Sequence, residues 1–94
     1  MATKDKKKVE SRIQQAHYLF DSGQKEAAQE LADELAGESF DDPLLDGALA
    51  FLHERLGYSL SAIALYHKAL QGRPDDPVLM SSLSKAYINT KQYA

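Results

Sequence analysis

Residues 41–58 read DDPLLDGALAFLHERLGY, and 34 positions on, residues 75–92 read DDPVLMSSLSKAYINTKQ. Asp42 and Asp76 each stand before a Pro. An acidic N-cap with Pro at the first helical position is a strong helix start, because the carboxylate accepts an orphan backbone N–H and the ring presets φ. Gly57 interrupts helical text about fourteen residues into this unit, and Gly23 does the same 34 residues earlier. Glycine at that distance suits the turn of a helical hairpin.

Working outward, the same offset pairs Ala28 with Ala62 and Leu31 with Leu65, and it aligns Ala16, Ala50 and Ser84. Tyr18, Leu52 and Ala86 follow less strictly. Matches at one fixed period mark an array of supersecondary units. Gly37 and the stretch Gly72-Arg73-Pro74 break the helices again before the next Asp-Pro start. The spacing predicts five helices, about 9–21, 24–36, 43–56, 59–71 and 77–90, with no competing strand signal. In the fourth, Leu60, Ile63, Ala64, Tyr66 and Leu70 cover more than one face, as a helix packed on both its hairpin partner and the next unit requires. Small Ala62 and Ala69 let helix axes approach.

Ninety-four residues make one domain, rich in helix formers and poor in β-branched residues. With 44% hydrophobic and 27% charged residues, the chain falls in the globular class. Cysteine is absent, which excludes disulfides and thiolate chemistry. No apolar run reaches membrane-spanning length, and no apolar stretch follows the basic start, so a secretory signal is not expected and a reducing cytoplasm is. Residues 1–8 hold four lysines against Asp5, a local +3, leaving −6 on the rest of a chain of net −3. That body disfavours nucleic acid. The lysine run reads as a solvated, flexible tail, with an array over 9–94 divided into units 9–42, 43–76 and a partial 77–94.

The period and residue types resemble the tetratricopeptide repeat, whose pattern runs aromatic, Leu-Gly, Tyr, then Ala, aromatic and Pro. The middle unit supplies Leu49-Ala50, His53, Gly57, Ala62, Tyr66, Ala69 and Pro74. It departs with Asp46 for the opening aromatic, Ala50 for Gly and His53 for Tyr. The first unit keeps Ala16, Leu19, Gly23 and Ala28 but has Ala32 and Phe40 where an aromatic and Pro stand. The third keeps Leu83, Ser84 and Tyr87, and residues 91–94 align with the turn Gly57-Tyr58-Ser59-Leu60. The resemblance implies a right-handed α-α superhelix of antiparallel helices, with first helices lining a concave groove.

Carried over unit by unit, the groove positions are Glu10, Ile13, His17, Phe20 and Asp21; then Leu44, Gly47, Phe51, Glu54 and Arg55; then Val78, Ser81, Lys85, Ile88 and Asn89. The apolar stripe among them favours an apolar peptide or an amphipathic helix of another protein. At the positions where a chaperone-binding subclass clamps a terminal carboxylate stand Ile13, His17, Ala48, Val78 and Ser82, so an acidic C-terminal peptide is not expected. His17, His53 and His67 form no ligand spacing, and no phosphate loop or nucleophile elbow occurs, so neither metal, cofactor nor catalysis is expected. The acidic stripe Glu26, Glu30, Asp33 and Glu34 reads as a solvated convex face.

The expected function is therefore an interaction module: an adaptor, scaffold or chaperone-like protein. The alternative is a scaffold that self-associates through an edge at Leu79, Met80, Leu83 and Tyr87, left partly exposed by the incomplete third unit, or an N-terminal piece of a longer array.

Overall fold

Helix boundaries follow the local chemistry of the turns. In the computed structural model, which describes residues 6–38 and 42–90, Asp42 is extended at φ −141° and its carboxylate accepts the Leu44 N–H at 2.9 Å. Asp76 repeats the device one period later, accepting from Val78 N–H at 2.9 Å and Leu79 N–H at 3.2 Å. Gly23 and Gly57 take φ of +86° and +89°, where any side chain would be strained. Around each, the same pair of bonds closes the helix: Gln24 N–H to the Leu19 carbonyl and Gly23 N–H to Phe20, then Tyr58 N–H to His53 and Gly57 N–H to Glu54. This is the Schellman arrangement, and it reverses the chain twice in the same way.

The result is all-α among the described residues: α1 Lys6–Asp21, α2 Lys25–Ala36, α3 Pro43–Arg55, α4 Ser59–Gly72 and α5 Pro77–Thr90. The pair α1–α2 is antiparallel, with Arg12 meeting Glu34 and Glu38, and so is α3–α4, with Lys68 3.9 Å from Asp46. Helices α1 and α3 run side by side in the same sense, since His17 meets Phe51 and Phe20 meets Arg55. Overall extents of 34 × 34 × 19 Å fit a slab two helices thick.

Two apolar clusters hold the slab. One joins Val9, Ile13 and Ala16 of α1, Ala28, Ala32 and Leu35 of α2, and Leu45, Leu49 and Leu52 of α3 with Leu56. The other joins Ala50 of α3, Ala62, Ile63, Tyr66 and Ala69 of α4, and Leu79 and Ala86 of α5. Every alanine in these clusters is 0% exposed. Helices meet over methyl groups, which is what close axes require.

One boundary departs from expectation. Lys6, Lys7 and Lys8 are the first turn of α1 rather than a flexible tail. Lysine is a good helix former, Val9 is buried at 2% and anchors the turn, and Lys6 pairs with Asp42 at 3.2 Å. Residues 1–5, 39–41 and 91–94 lie outside the described residues, and with them the expectations that touch Lys4, Asp5, Phe40, Asp41 and the aligned turn at 91–94.

The Asp42 cap gives a direct test. Burial pushes its carboxyl up, but the Leu44 N–H and Lys6 outweigh that and hold it below its ordinary 3.8. Its contribution is therefore present above about pH 3.8 and lost as pH falls below it. Asp42→Ala is expected to cost about 1 kcal/mol in urea titration at pH 7, and distinctly less at pH 3. An equal cost at both pH values would reject the ionised cap.

Candidate ligand groove

Positions 44, 47, 51 and 55 fall on one stripe of α3, and 78, 81, 85 and 88 on one stripe of α5, by helical spacing. Four large apolar side chains on these stripes remain open to solvent: Leu44 at 62%, Phe51 at 51%, Val78 at 70% and Ile88 at 59%. Between α3 and α5 lies a cleft of about 320 Å³ lined by Pro43, Leu44, Gly47, Phe51, Tyr66, Asp76, Val78, Leu79 and Ser82. Gly47 lets the helices close on it, since a Cβ there would stand 2.9 Å from Leu79 Cδ2. A shallower hollow of about 580 Å³ continues over α5 along Val78, Ser81, Ser82, Lys85 and Ile88.

The α1 side of the groove is aromatic and charged. Arg55 of α3 donates to His17 Nδ1 at 2.7 Å, pairs with Asp21, and lies 5.0 Å over the Phe20 ring. A guanidinium only donates, so His17 Nδ1 is the unprotonated nitrogen. Burial, then Arg55, lowers the His17 pKa from its ordinary 6.5, with Asp21 opposing. The His17 ring also stacks obliquely on Phe51, 5.6 Å between centres. At the end of α3, Glu54 accepts from the Tyr66 hydroxyl at 2.8 Å and from Asn89 Nδ2 at 3.3 Å. Burial, helped by Glu54, drives the Tyr66 hydroxyl pKa well up, so it stays a donor. Lys85 is exposed beside the hollow.

The structure thus brings together His17, Phe20, Phe51 and Arg55 at one end, Leu44, Phe51 and Val78 around the cleft, and Glu54 with Asn89 between α3 and α5. Ile13 is different. It is 3% exposed within the first cluster, turned toward α2 and α3, and no ligand could reach it there. The expected open edge also needs correction at Leu79, which is 8% exposed because glycine at 47 leaves room for it against α3. Leu83 and Tyr87 are half-buried against the second cluster, while Met80 is 53% exposed. The cleft also draws on Pro43, Tyr66, Asp76 and Leu79, which the sequence reading does not place in the groove. The signal available was Gly47, a small residue in the middle of a helical stripe.

His53 is 2% exposed, with Nε2 3.3 Å from the Ala32 carbonyl and Nδ1 without a hydrogen-bond partner. His67 meets the Tyr87 hydroxyl at 2.8 Å on the surface. Among the described residues no group of three or more His, Cys, Asp or Glu side chains could hold a metal ion, and no helix is long and apolar enough to cross a membrane. Glu26, Glu30, Asp33 and Glu34 of α2 are exposed, with Glu34 bonded to Arg12. No protein-family model, curated protein or solved structure matches this chain, so the groove is read from its own geometry.

Proposed function

We propose that this chain is an interaction module of tetratricopeptide type, holding an apolar segment of another protein, extended or as an amphipathic helix, across α1, α3 and α5. The observation that carries the reading is the cleft between α3 and α5, flanked by Leu44, Phe51 and Val78, each more than half exposed. A volume of about 320 Å³ is near the low end for a ligand pocket, and suits one large apolar anchor side chain rather than a free metabolite. Polar groups nearby are engaged: Asp76 caps α5, Glu54 binds Tyr66 and Asn89, and Arg55 binds Asp21 and His17. What remains for a ligand is mostly apolar surface.

The superhelical reading draws support from the 34-residue period of the Asp-Pro starts and of the two glycine turns, and from the parallel course of α1 and α3. An adaptor, scaffold or chaperone-like role follows from such a groove without any catalytic step. Self-assembly through α5 has a narrower base, Met80 being the one exposed side chain of the four expected there.

Phe51→Glu and Leu44→Glu are expected to weaken binding to arrayed apolar peptides roughly thirtyfold, about 2 kcal/mol, with little change in Tm because both residues are already exposed. Binding that survives both substitutions would sink the groove. Self-assembly instead predicts a sedimentation profile that changes with concentration and is abolished by Met80→Glu.

A further inference from the structure

Helices α1 and α2 pack on the rest of the chain through α3, with Tyr58 and the Leu65 side chain of α4 reaching the same apolar cluster. Two histidines sit at that junction, and each fits it only when neutral. Arg55 Nη1 donates to His17 Nδ1 at 2.7 Å, so the accepting nitrogen must keep its lone pair. A proton there sets N–H against N–H and one cation against another, leaving Arg55 tied to α1 only by Asp21 and the Phe20 ring. His53 spans from α3 to α2, where its Nε2 can donate to the Ala32 carbonyl at 3.3 Å. A second proton would fall on Nδ1, buried and facing no acceptor, so charge and an orphan N–H would enter the core together.

We propose that the joint between the hairpin α1–α2 and the rest of the chain is released by acid, with His17 and His53 as the two groups whose protonation opens it. The groups facing them do not cancel the effect. His53 meets the Ala32 carbonyl of α2 and the Tyr58 ring, 5.6 Å between centres, and feels the charge of Asp33 of α2. His17 meets Arg55 of α3, Asp21 of its own helix and the Phe51 ring. The Ala32 carbonyl and then Asp33 favour charged His53, and Asp21 favours charged His17, but burial outweighs them and both histidines titrate below their ordinary 6.5. A lowered folded pKa means the unfolded or undocked form binds more protons just below 6.5. Docking strength is therefore complete above about pH 6.5 and falls as pH drops below it toward the folded values. His67, exposed and bonded to Tyr87 between α4 and α5, takes no part. Release is thus one-sided: α1 and α2 swing free while α3, α4 and α5 stay packed. The inference is independent of whether the groove binds a peptide.

Amide hydrogen exchange on the full chain at pH 7.5 and pH 5.0, expressed as protection factors, reads the joint directly. Protection in α1 and α2 is expected to fall by about tenfold or more relative to α4, and the pH midpoint to track the ring-carbon shifts of His17 and His53. The variant H17Q/H53Q should abolish the relative fall, and H67Q should leave it intact. A uniform loss over all five helices, an unchanged ratio, a midpoint in the carboxylate range, or a fall that persists in H17Q/H53Q would each overturn the proposal. The wild-type midpoint decides the matter even if the double variant fails to fold.

Discussion

Tyr66→Ala is expected to remove about 3–5 kcal/mol of folding free energy, the largest single loss in the chain. Tyr66 is 1% exposed and is the bulkiest fully buried side chain among the described residues. The fully buried part of its cluster is rich in alanine, with Ala50, Ala62, Ala69 and Ala86 beside Ile63 and Leu79, and Leu65, Leu70, Leu83 and Tyr87 pack on its rim. Alanines on rigid helices cannot collapse into the space a ring leaves, so the cavity stays open. The hydroxyl adds a separate contribution by donating to Glu54 at 2.8 Å. Tyr66→Phe keeps the ring and loses that bond, at about 1 kcal/mol. Small domains hold about 5–15 kcal/mol in total, so the alanine variant consumes much of it and lowers Tm by more than about 12 °C. Urea titrations of the two variants separate packing from hydrogen bonding, and equal losses would refute the packing argument.

Gly72→Ala sets two effects of opposite sign against each other. Gly72 is the last residue of α4, where helix propensity alone would favour alanine by about 1 kcal/mol. A Cβ at that position, however, would collide with Cγ of Pro43, the first residue of α3. The pyrrolidine ring can only flip its pucker, and its Cβ and Cδ also stand 3.3 and 3.6 Å from the new atom, so full relief requires the end of one helix to move off the other. Overpacking of that kind costs about 1–3 kcal/mol, and the net expectation is a loss of about 1–2 kcal/mol. Gly37→Ala serves as the comparison, since its Cβ would meet the Glu34 carbonyl at an ordinary 3.5 Å. Thermal unfolding of the pair should show Gly72→Ala alone lowering Tm. A rise in Tm for Gly72→Ala would mean that propensity wins.

The readable part of this fold was the part governed by backbone chemistry within a few residues. The Asp42-Pro43 and Asp76-Pro77 starts and the Gly23 and Gly57 turns act through caps and φ, and the helices begin and end where those residues place them. Harder to read was which apolar side chains close. Ile13 and Phe51 both lie on groove stripes, yet one is sealed between hairpins and the other half open, a distinction set by how α2 and α3 meet. Leu79 is buried because a residue 32 positions earlier has no side chain, a relation no local spacing reveals. The lysine run misled for a related reason: charge pointed to solvent, while Val9 beneath it was already docked. Asp46, buried at 4% beside Lys68, stands where the resemblance puts an aromatic, and that alignment rather than its own charge hints at its burial.

The alanines at 0% exposure bear on the groove although none lines it. Ala50, Ala62 and Ala86 sit behind the cleft where α3, α4 and α5 meet, and helix separation there is fixed by methyl thickness. A larger residue at any of them would act as a wedge, prising α3 from α5 and changing the aperture at Gly47 and Leu79. The gauge of the opening is thus set from its hidden side. A chain of this build can be retuned to a wider or narrower anchor by residues that the ligand never meets.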